Sequence, residues 1–463
     1  MKLHGVESIP SSLVTCFVQD VEVCIVELAY EGFSFRVAEK LGEVKDISLH
    51  FLQFEQSSYH SLVLENFHIE CEEHPFYILY TVMTNQLEYV TYAKESIQQY
   101  GQYISLKLSG DDGYLSEVMV GYPAEEDEKY YKTWEEQKKD WFGNLNATDM
   151  SANVKNQCEL ALSIDNPRRY KEYLSMEFYK FQQKYLKENH LADHPLFYKP
   201  ANRLYIGNQF CHNLLPEEEQ CIALMNKARE EGVEITLVFT YLRDELAEQT
   251  TDLLKCILRW CQLKQQAIEI VVNDWGMIQI LWEIGEQKLW KYVQLNLGVL
   301  LNKRRKDPRY TYKRGLRENV DKLSKNNLDG AIYQNYLREK WHITRFEYEV
   351  CPLTKVYENT ENEVASFQVA GNHNSLHFPF YQTNTSQYCT LYAKCATGDR
   401  GNQKLVRNCP RYCEEEVFLY PKHLHMVGRY NSLFGYDETL LKEPEKLSQY
   451  LEQKIDRIVL TLL

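Results

Sequence analysis

Val233-Glu234-Ile235-Thr236-Leu237-Val238-Phe239-Thr240 is a continuous apolar run of strand length. A helical pattern follows from about Asp244 to Lys264, and a second apolar run covers Ala267 to Val272. Runs of this kind belong to strands buried on both faces, and strands separated by helices make parallel sheets. Upstream, Arg203 to Gly207 reads as a strand; Pro216 with Glu217, Glu218 and Glu219 makes a helix start and Gly232 a stop. Downstream come a helix at Met277 to Glu286 and strands at Tyr292 to Leu297 and Ile343 to Val350. The expected class is α/β, with an incomplete TIM-like β/α barrel over residues 201–436. Residues 437–463 read as a C-terminal amphipathic helix carrying Leu447, Leu451, Ile455, Ile458 and Leu462 on one side.

The N-terminal part has a different period. Glu22 to Tyr30, Phe33 to Ala38 and Ile47 to Phe54 alternate apolar and polar residues between turn signals, which predicts a small antiparallel β-barrel over residues 1–122. A short helix is expected at Tyr92 to Gly101. Glu125 to Glu128 open a polar stretch punctuated by Trp134 and Trp141, so residues 123–200 read as a helical linker.

Bulk composition narrows the setting. The chain has 463 residues, 44% of them hydrophobic, and no apolar run of membrane-spanning length. Residues 1–20 lack the features of a secretory signal, so the cytoplasm is the expected location. A net charge of −14 disfavours broad nucleic-acid binding, because affinity for a polyanion comes largely from phosphate neutralisation. Lys303, Arg304, Arg305, Lys306, Arg309, Lys313, Arg314 and Arg317 are a local exception, read either as a solvated face or as an anion or partner site.

The thirteen cysteines are odd in number and scattered, which points to reduced thiols rather than a disulfide framework. Cys211 falls just after a strand, on the loop edge where parallel α/β folds place chemistry. Cys389, Cys395, Cys409 and Cys413 follow in the C-terminal third, with nineteen residues between Cys389 and Cys409 and three between Cys409 and Cys413. If the segment after Pro410 is helical, Cys409 and Cys413 share one face. Spacing alone leaves three readings open: unrelated buried thiols, a structural zinc, or an iron–sulfur cluster.

Several short strings resemble the collagenase-like peptidase family, in particular its UbiV-type oxygen-independent hydroxylases. They are Leu204-Tyr205-Ile206-Gly207-Asn208-Gln209-Phe210-Cys211, Asn273-Asp274-Trp275-Gly276, Gly298-Val299-Leu300-Leu301-Asn302 and Glu347-Tyr348-Glu349-Val350, with the late cysteines after them. They occur in the family's order over roughly Asn202 to Tyr436. The resemblance implies a [4Fe-4S] cluster held by Cys211, Cys389, Cys409 and Cys413, with Cys395 as substitute for one ligand; the gap after Cys389 is longer than the family pattern. It also implies hydroxylation of an aromatic or nucleobase small-molecule substrate with prephenate as oxygen donor, sometimes in a heterodimer. Arg400, Lys404, Arg407 and Arg411 stand among the late cysteines as candidates to offset cluster charge.

Glu27-Leu28-Ala29-Tyr30-Glu31-Gly32-Phe33 resembles the turn of PilZ domains, which bind cyclic di-GMP. Glu27 replaces the family's aspartate, Ala29 its serine, and the preceding arginine pair is missing, so the expectation is a degenerate PilZ-like domain used for docking or spacing. An alternative for the whole chain is a catalytically inactive partner-binding or cyclic di-GMP-related regulatory protein with a structural metal site. No phosphate loop, dinucleotide fingerprint, nucleophile elbow or HExxH helix is present, which argues against a protease. His190 and His194 read as surface or capping residues, His423 and His425 as strand neighbours, His377 as part of a strand leading towards Cys389, and Cys351 as structural. Composition gives no reason for thirty-four tyrosines.

Overall fold

The computed structural model describes the chain outside residues 1–2, 11–12, 54–57, 109–129, 151–156, 198, 286–289, 304–305, 307–325, 352–372 and 403. It divides into two compact units, residues 1–128 with 307–336 and 353–355, and the remainder. Among the described residues no helix is long and apolar enough to cross a membrane.

The first unit holds strands β1 (Val6–Glu7), β2 (Val14–Val18), β3 (Val21–Leu28), β4 (Gly32–Val37), β5 (Ile47–Gln53), β6 (Ser58–Val63), β7 (His68–Glu73) and β8 (Ile78–Met83), then helix α1 (Leu87–Leu108). The strands pair antiparallel in the order β6-β5-β2-β3-β4-β8-β7, with β1 on β3. Alternation places Phe33, Phe35, Leu49 and Phe51 in one core with Tyr89 of α1. Among the described residues β6 and β7 do not pair, so the expected small barrel is an antiparallel sheet, and the helix runs well beyond Tyr92 to Gly101. The Ala29–Gly32 turn joins β3 to β4, where a Cβ on Gly32 would fall 2.0 Å from the Val82 carbonyl oxygen. Glu27 accepts the Gly5 amide at 2.7 Å, which commits it to a backbone contact.

The second unit begins with α2 (Trp134–Phe142) and continues through β9 (Glu159–Ile164), α3 (Pro167–Ser175), α4 (Phe178–Glu188) and β10 (Arg203–Gly207). Next come α5 (Glu218–Glu230), β11 (Glu234–Val238), α6 (Ala247–Lys264), β12 (Ile268–Val272), α7 (Trp275–Ile284), β13 (Val293–Leu297), α8 (Ala331–Trp341, of which residues 337–341 belong to this unit) and β14 (Arg345–Glu349). The long β15 (His373–Thr385), α9 (Thr390–Thr397), β16 (Phe418–Leu419), β17 (Met426–Arg429) and β18 (Ser432–Tyr436) follow, then α10 (Thr439–Lys442), α11 (Leu447–Glu452) and β19 (Ile455–Thr461).

Eight of these strands, β9 to β15 and β19, pair in parallel and close: β14 meets β15, β15 meets β19, and β19 meets β9. The barrel is therefore complete rather than incomplete, and two expectations fail together. Residues 123–200 are no linker, since they contain the first barrel strand, β9. The terminal segment is no long helix: Lys454 adopts the left-handed conformation (φ 63°) after α11, and Ile455 to Thr461 forms the closing strand. Its β-branched Ile455, Ile458 and Val459 suit a pleated surface better than a helix. Beyond the barrel, β15 carries on into an antiparallel layer with β18, β17 and β16.

Buried ions fill much of the barrel interior. Arg457 of β19 grips Glu269 of β12 with two hydrogen bonds, at 2.6 and 2.9 Å, and also bonds Glu159 of β9. Arg203 bonds Glu159 at 2.7 Å, and Arg345 bonds Asp456 at 2.7 and 3.1 Å. Glu347, fully buried, receives Tyr205, Asn296 and Ser375 and pairs with His377 at 2.9 Å. Tyr205 packs beside them with Ala161, Val238, Val271 and Val459. Tyrosines also tie elements together elsewhere: the hydroxyls of Tyr89, Tyr170, Tyr185 and Tyr436 donate to the carbonyls of Ala29, Leu214, Ser163 and Trp141. That role accounts for several of the many tyrosines, each filling apolar space and satisfying one buried carbonyl.

Burial alone would raise the Glu269 carboxyl, but the hydrogen bonds and charge of Arg457, with Arg203 and Arg345 nearby, hold it down at about 2. Because this lies below the ordinary 4.5, the group stabilises the fold fully above that pH, and its contribution is lost as pH falls from there through about 2. The contribution is on the order of 3 kcal/mol. Glu269→Gln is expected to cost roughly 3–5 kcal/mol at pH 7 by leaving Arg457 underpaired, and to flatten the acid limb of the stability profile. Urea unfolding at pH 7 and pH 3 checks this; identical midpoints for variant and wild type at both values would refute it.

Candidate functional site

Polar residues just past the C-terminal ends of the barrel strands fasten the loops above them. Asn208, after β10, accepts the amides of Phe210 and Cys211 at 2.8 Å each and donates to the Asp165 carbonyl at 3.0 Å. This side-chain turn fixes where Cys211 stands. Asp165, after β9, accepts the Tyr430 hydroxyl at 2.7 Å, and burial pushes its carboxyl upward despite that bond. Asn431, between β17 and β18, reaches the carbonyls of Phe210 and Ser386 at 2.8 and 2.7 Å and the Tyr241 hydroxyl at 3.1 Å. One amide thus joins the loops after β10, β11 and β15.

The strings that carried the family resemblance form a second clasp. Asn273 donates to the Phe239 carbonyl at 2.8 Å and accepts the Leu300 amide at 2.9 Å. A Cβ at Gly298 would come within 2.1 Å of the Asn273 side-chain oxygen, so the close approach requires glycine there. Asn302 extends the clasp to the Glu347 carbonyl at 3.2 Å, while Asp274 caps α7 through the Gly276 amide.

Cys211, Cys389, Cys409 and Cys413 gather beside these clasps. Burial pushes the Cys211 thiol up; the Asn213 amide opposes this, and the neighbouring Cys413, Cys389 and Cys409 add to it. Burial likewise pushes Cys413 up to about 12, against the pull of Arg429 and with further push from Cys389 and Cys409. The Cys389 sulfur caps α9 by accepting the Tyr392 amide at 3.3 Å, and its thiol contacts the Tyr430 carbonyl at 3.2 Å. The Cys409 sulfur accepts the Arg411 amide at 3.4 Å, and Arg429 Nε donates to the Cys413 carbonyl at 2.8 Å. Among the described residues no three His, Cys, Asp or Glu side chains converge closely enough to clasp a single metal ion.

Cys395 stands exposed on α9, and Cys351 is buried just past β14. Cys409 and Cys413 do not share a helix face: Arg411 is left-handed (φ 62°), and a single 3-10 turn, Tyr412–Glu414, follows it. His423 and His425 are not strand neighbours, since Lys422–Leu424 is a 3-10 turn and His425 is left-handed (φ 49°). His194 is a buried tether bonding the Leu441 carbonyl at 2.7 Å, His190 is left-handed (φ 58°) two residues beyond α4, and His377 belongs to the interior ion network.

Among the basic candidates, Arg304, Arg305, Arg309, Lys313, Arg314 and Arg317 lie outside the described residues. Lys306 is buried against the Glu349 carboxylate, with Gln382 at 3.3 Å. Arg400 lies over the Phe418 ring, and Lys404 lines a cleft beside Cys211 and Cys389. Sequence reading missed Asp165, Asn208, Tyr241, Arg243, Tyr430 and Asn431; the available signal was a polar residue immediately after an apolar strand run, as in Ile164-Asp165 and Gly207-Asn208.

No protein-family model, curated protein or solved structure matches the chain.

In metal-free protein, burial and the suppressed ionisation it causes should make Cys211 and Cys413 react with iodoacetamide much more slowly than exposed Cys24, Cys71 and Cys395. Asn208→Ala removes the acceptor of two amides; it is expected to lower stability by about 1–3 kcal/mol and to speed alkylation of Cys211 selectively. Mass-spectrometric mapping of labelled peptides reads both, and equal labelling of all thirteen cysteines would contradict the assignment.

Proposed function

We propose that the chain is an iron–sulfur protein in which Cys211, Cys389, Cys409 and Cys413 hold a [4Fe-4S] cluster at the C-terminal mouth of its parallel barrel. The observation that carries this reading is the mutual influence of four thiols from three separate stretches of chain, with backbone amides already directed at the sulfurs of Cys211, Cys389 and Cys409. Amide hydrogen bonds of this kind favour thiolate ligands and tune cluster potential. Arg429, beside Cys413, adds a positive charge where four thiolates would collect. A single zinc needs all its sulfurs about 2.3 Å from one point, whereas a cubane takes each sulfur on its own iron.

In this reading the barrel is TIM-like, with helices following most strands and the chemistry at the face where active sites of such barrels lie. A cluster bound there would supply an electron-transfer centre, while Asn208, Asn431 and the Tyr430 to Asp165 bond hold the loops that exclude water from Cys211 and Cys413. The activity we assign is that of the oxygen-independent hydroxylases the chain resembles, acting on an aromatic or nucleobase substrate with prephenate as donor. The first unit serves as a degenerate PilZ-like docking module, in which Glu27 accepts the Gly5 amide.

Anaerobically purified protein is expected to be brown and to contain about four irons and four sulfides per chain. Cys409→Ser should lose most of that iron, whereas Cys395→Ser, altering an exposed thiol, should keep it. Colourless protein with one zinc per chain would end the proposal, and loss of iron from the Cys395 variant alone would reassign the ligand.

A further inference from the structure

We infer that the seam between β13 and β14 is the opening point of the barrel, and that the first unit biases it through helix α8. β14 pairs with β15 along its whole length, from Arg345 to Glu349, but meets β13 only where Asn296 and Leu297 lie beside Arg345 and Phe346. No other seam of the eight strands is so short. Polar satisfaction fails at the same place. Asn296 Oδ1, Arg345 Nε and Asn374 Oδ1, on β13, β14 and β15, are buried without hydrogen-bond partners, whereas among the described residues no such atom lies on β9, β10, β11, β12 or β19. Asn296 and Arg345 are register partners, and Glu269 Oε1 stands 3.8 Å from Arg345 Nε, too far for a hydrogen bond. Buried groups are nearly always satisfied, so a seam that leaves an acceptor and a donor unpaired side by side gains by rearranging.

Chain connectivity places a lever on this strand. α8 begins in the first unit and ends in the second. In the first unit the rings of Tyr333 and Tyr336 lie 5.5 and 4.9 Å from that of Phe76, and a Cβ on Gly330 would come within 2.5 Å of the Ala38 Cβ. In the second unit Leu337 is fully buried, and the Trp341 ring lies 6.4 and 6.0 Å from those of Trp275 and Trp282 on α7. Only His342, Ile343 and Thr344 then separate the helix from β14. His342 is left-handed (φ 54°) and the Ile343 amide bonds back to the Leu337 carbonyl at 3.2 Å, which leaves the joint little slack. A displacement of residues 331–336 against Phe76 is therefore delivered to the strand that carries Glu347 and Glu349. Glu347 holds the Asn296 amide at 3.0 Å across the seam and His377 at 2.9 Å, while Glu349 holds buried Lys306 and the Gln382 amide at 2.6 Å. Parting the seam breaks the first of these contacts and leaves the others on β14. Coupling between distant sites needs an element that both of them bias, and β14 is that element. The inference stands apart from the iron–sulfur reading, since none of these residues is a proposed ligand.

Hydrogen-exchange mass spectrometry on the full chain tests it, with iron content assayed in parallel. Peptides covering residues 345–349 are expected to exchange about tenfold faster than those of β10, β11 and β12. Phe76→Ala, which removes the ring beside Tyr333 and Tyr336, should speed exchange of residues 345–349 a further ~5-fold and leave β10 to β12 unchanged. Tyr336→Ala removes the same contact from the helix side and should act in the same direction; it decides the matter if circular dichroism shows the Phe76 variant unfolded. Protection of β14 equal to that of β10 to β12 would overturn the opening point. A uniform rise over all barrel strands, or no change, in the folded variants would overturn the coupling. Iron-free protein that shows the selective rise would remove the cluster and sustain the coupling, and iron-loaded protein that lacks it would do the reverse.

Discussion

Closure of the barrel depends on one buried guanidinium. Arg457 sits on the last strand, yet its hydrogen bonds go to Glu159 on the first barrel strand and Glu269 on the fourth, so it spans the interior where the ends of the unit meet. Taking such charges out of water is costly, and only close pairing with several hydrogen bonds offsets it. Arg203, Thr236 and Asn296 complete that pairing. A strand slipped by one residue would turn each of these groups outward and leave its partner buried and alone, so the ions specify register as well as closure.

The same arrangement decides where chemistry can sit. Arg203, Glu159, Glu269 and Arg345 come from the first or second residue of their strands, so the ions occupy the N-terminal half of the interior. The opposite end is left to loops, and these are held by side-chain amides rather than by regular structure. Asn208, Asn273 and Asn431 each satisfy backbone groups from different loops. Buried loop backbone requires such partners, and a site built this way is as rigid as the amides that fasten it.

The strand and helix succession from Arg203 to Val350 was legible in the sequence because β11 and β12 are short apolar runs and helices separate them from the neighbouring strands. The first and last strands were not. β9 is preceded by a polar, aromatic stretch, and β19 shares its apolar spacing with a helix until the left-handed Lys454 breaks the pattern. Both are recognised only through tertiary pairing, since Arg457 has no reason to be buried unless Glu159 and Glu269 face it. The cysteines were visible as residue types, but the cleft was not. Arg243 lies in an ordinary charged loop, Arg243-Asp244-Glu245, and nothing local marks its side chain as buried among Tyr388, Gln387 and His212.

Burial first, and the neighbouring thiols after it, oppose ionisation of Cys211 and Cys413. The backbone nevertheless aims amides at three of the sulfurs, an orientation that favours the charged thiolate over the neutral thiol. Donors arranged for a charge that the bare site resists make sense when a cation supplies the missing attraction.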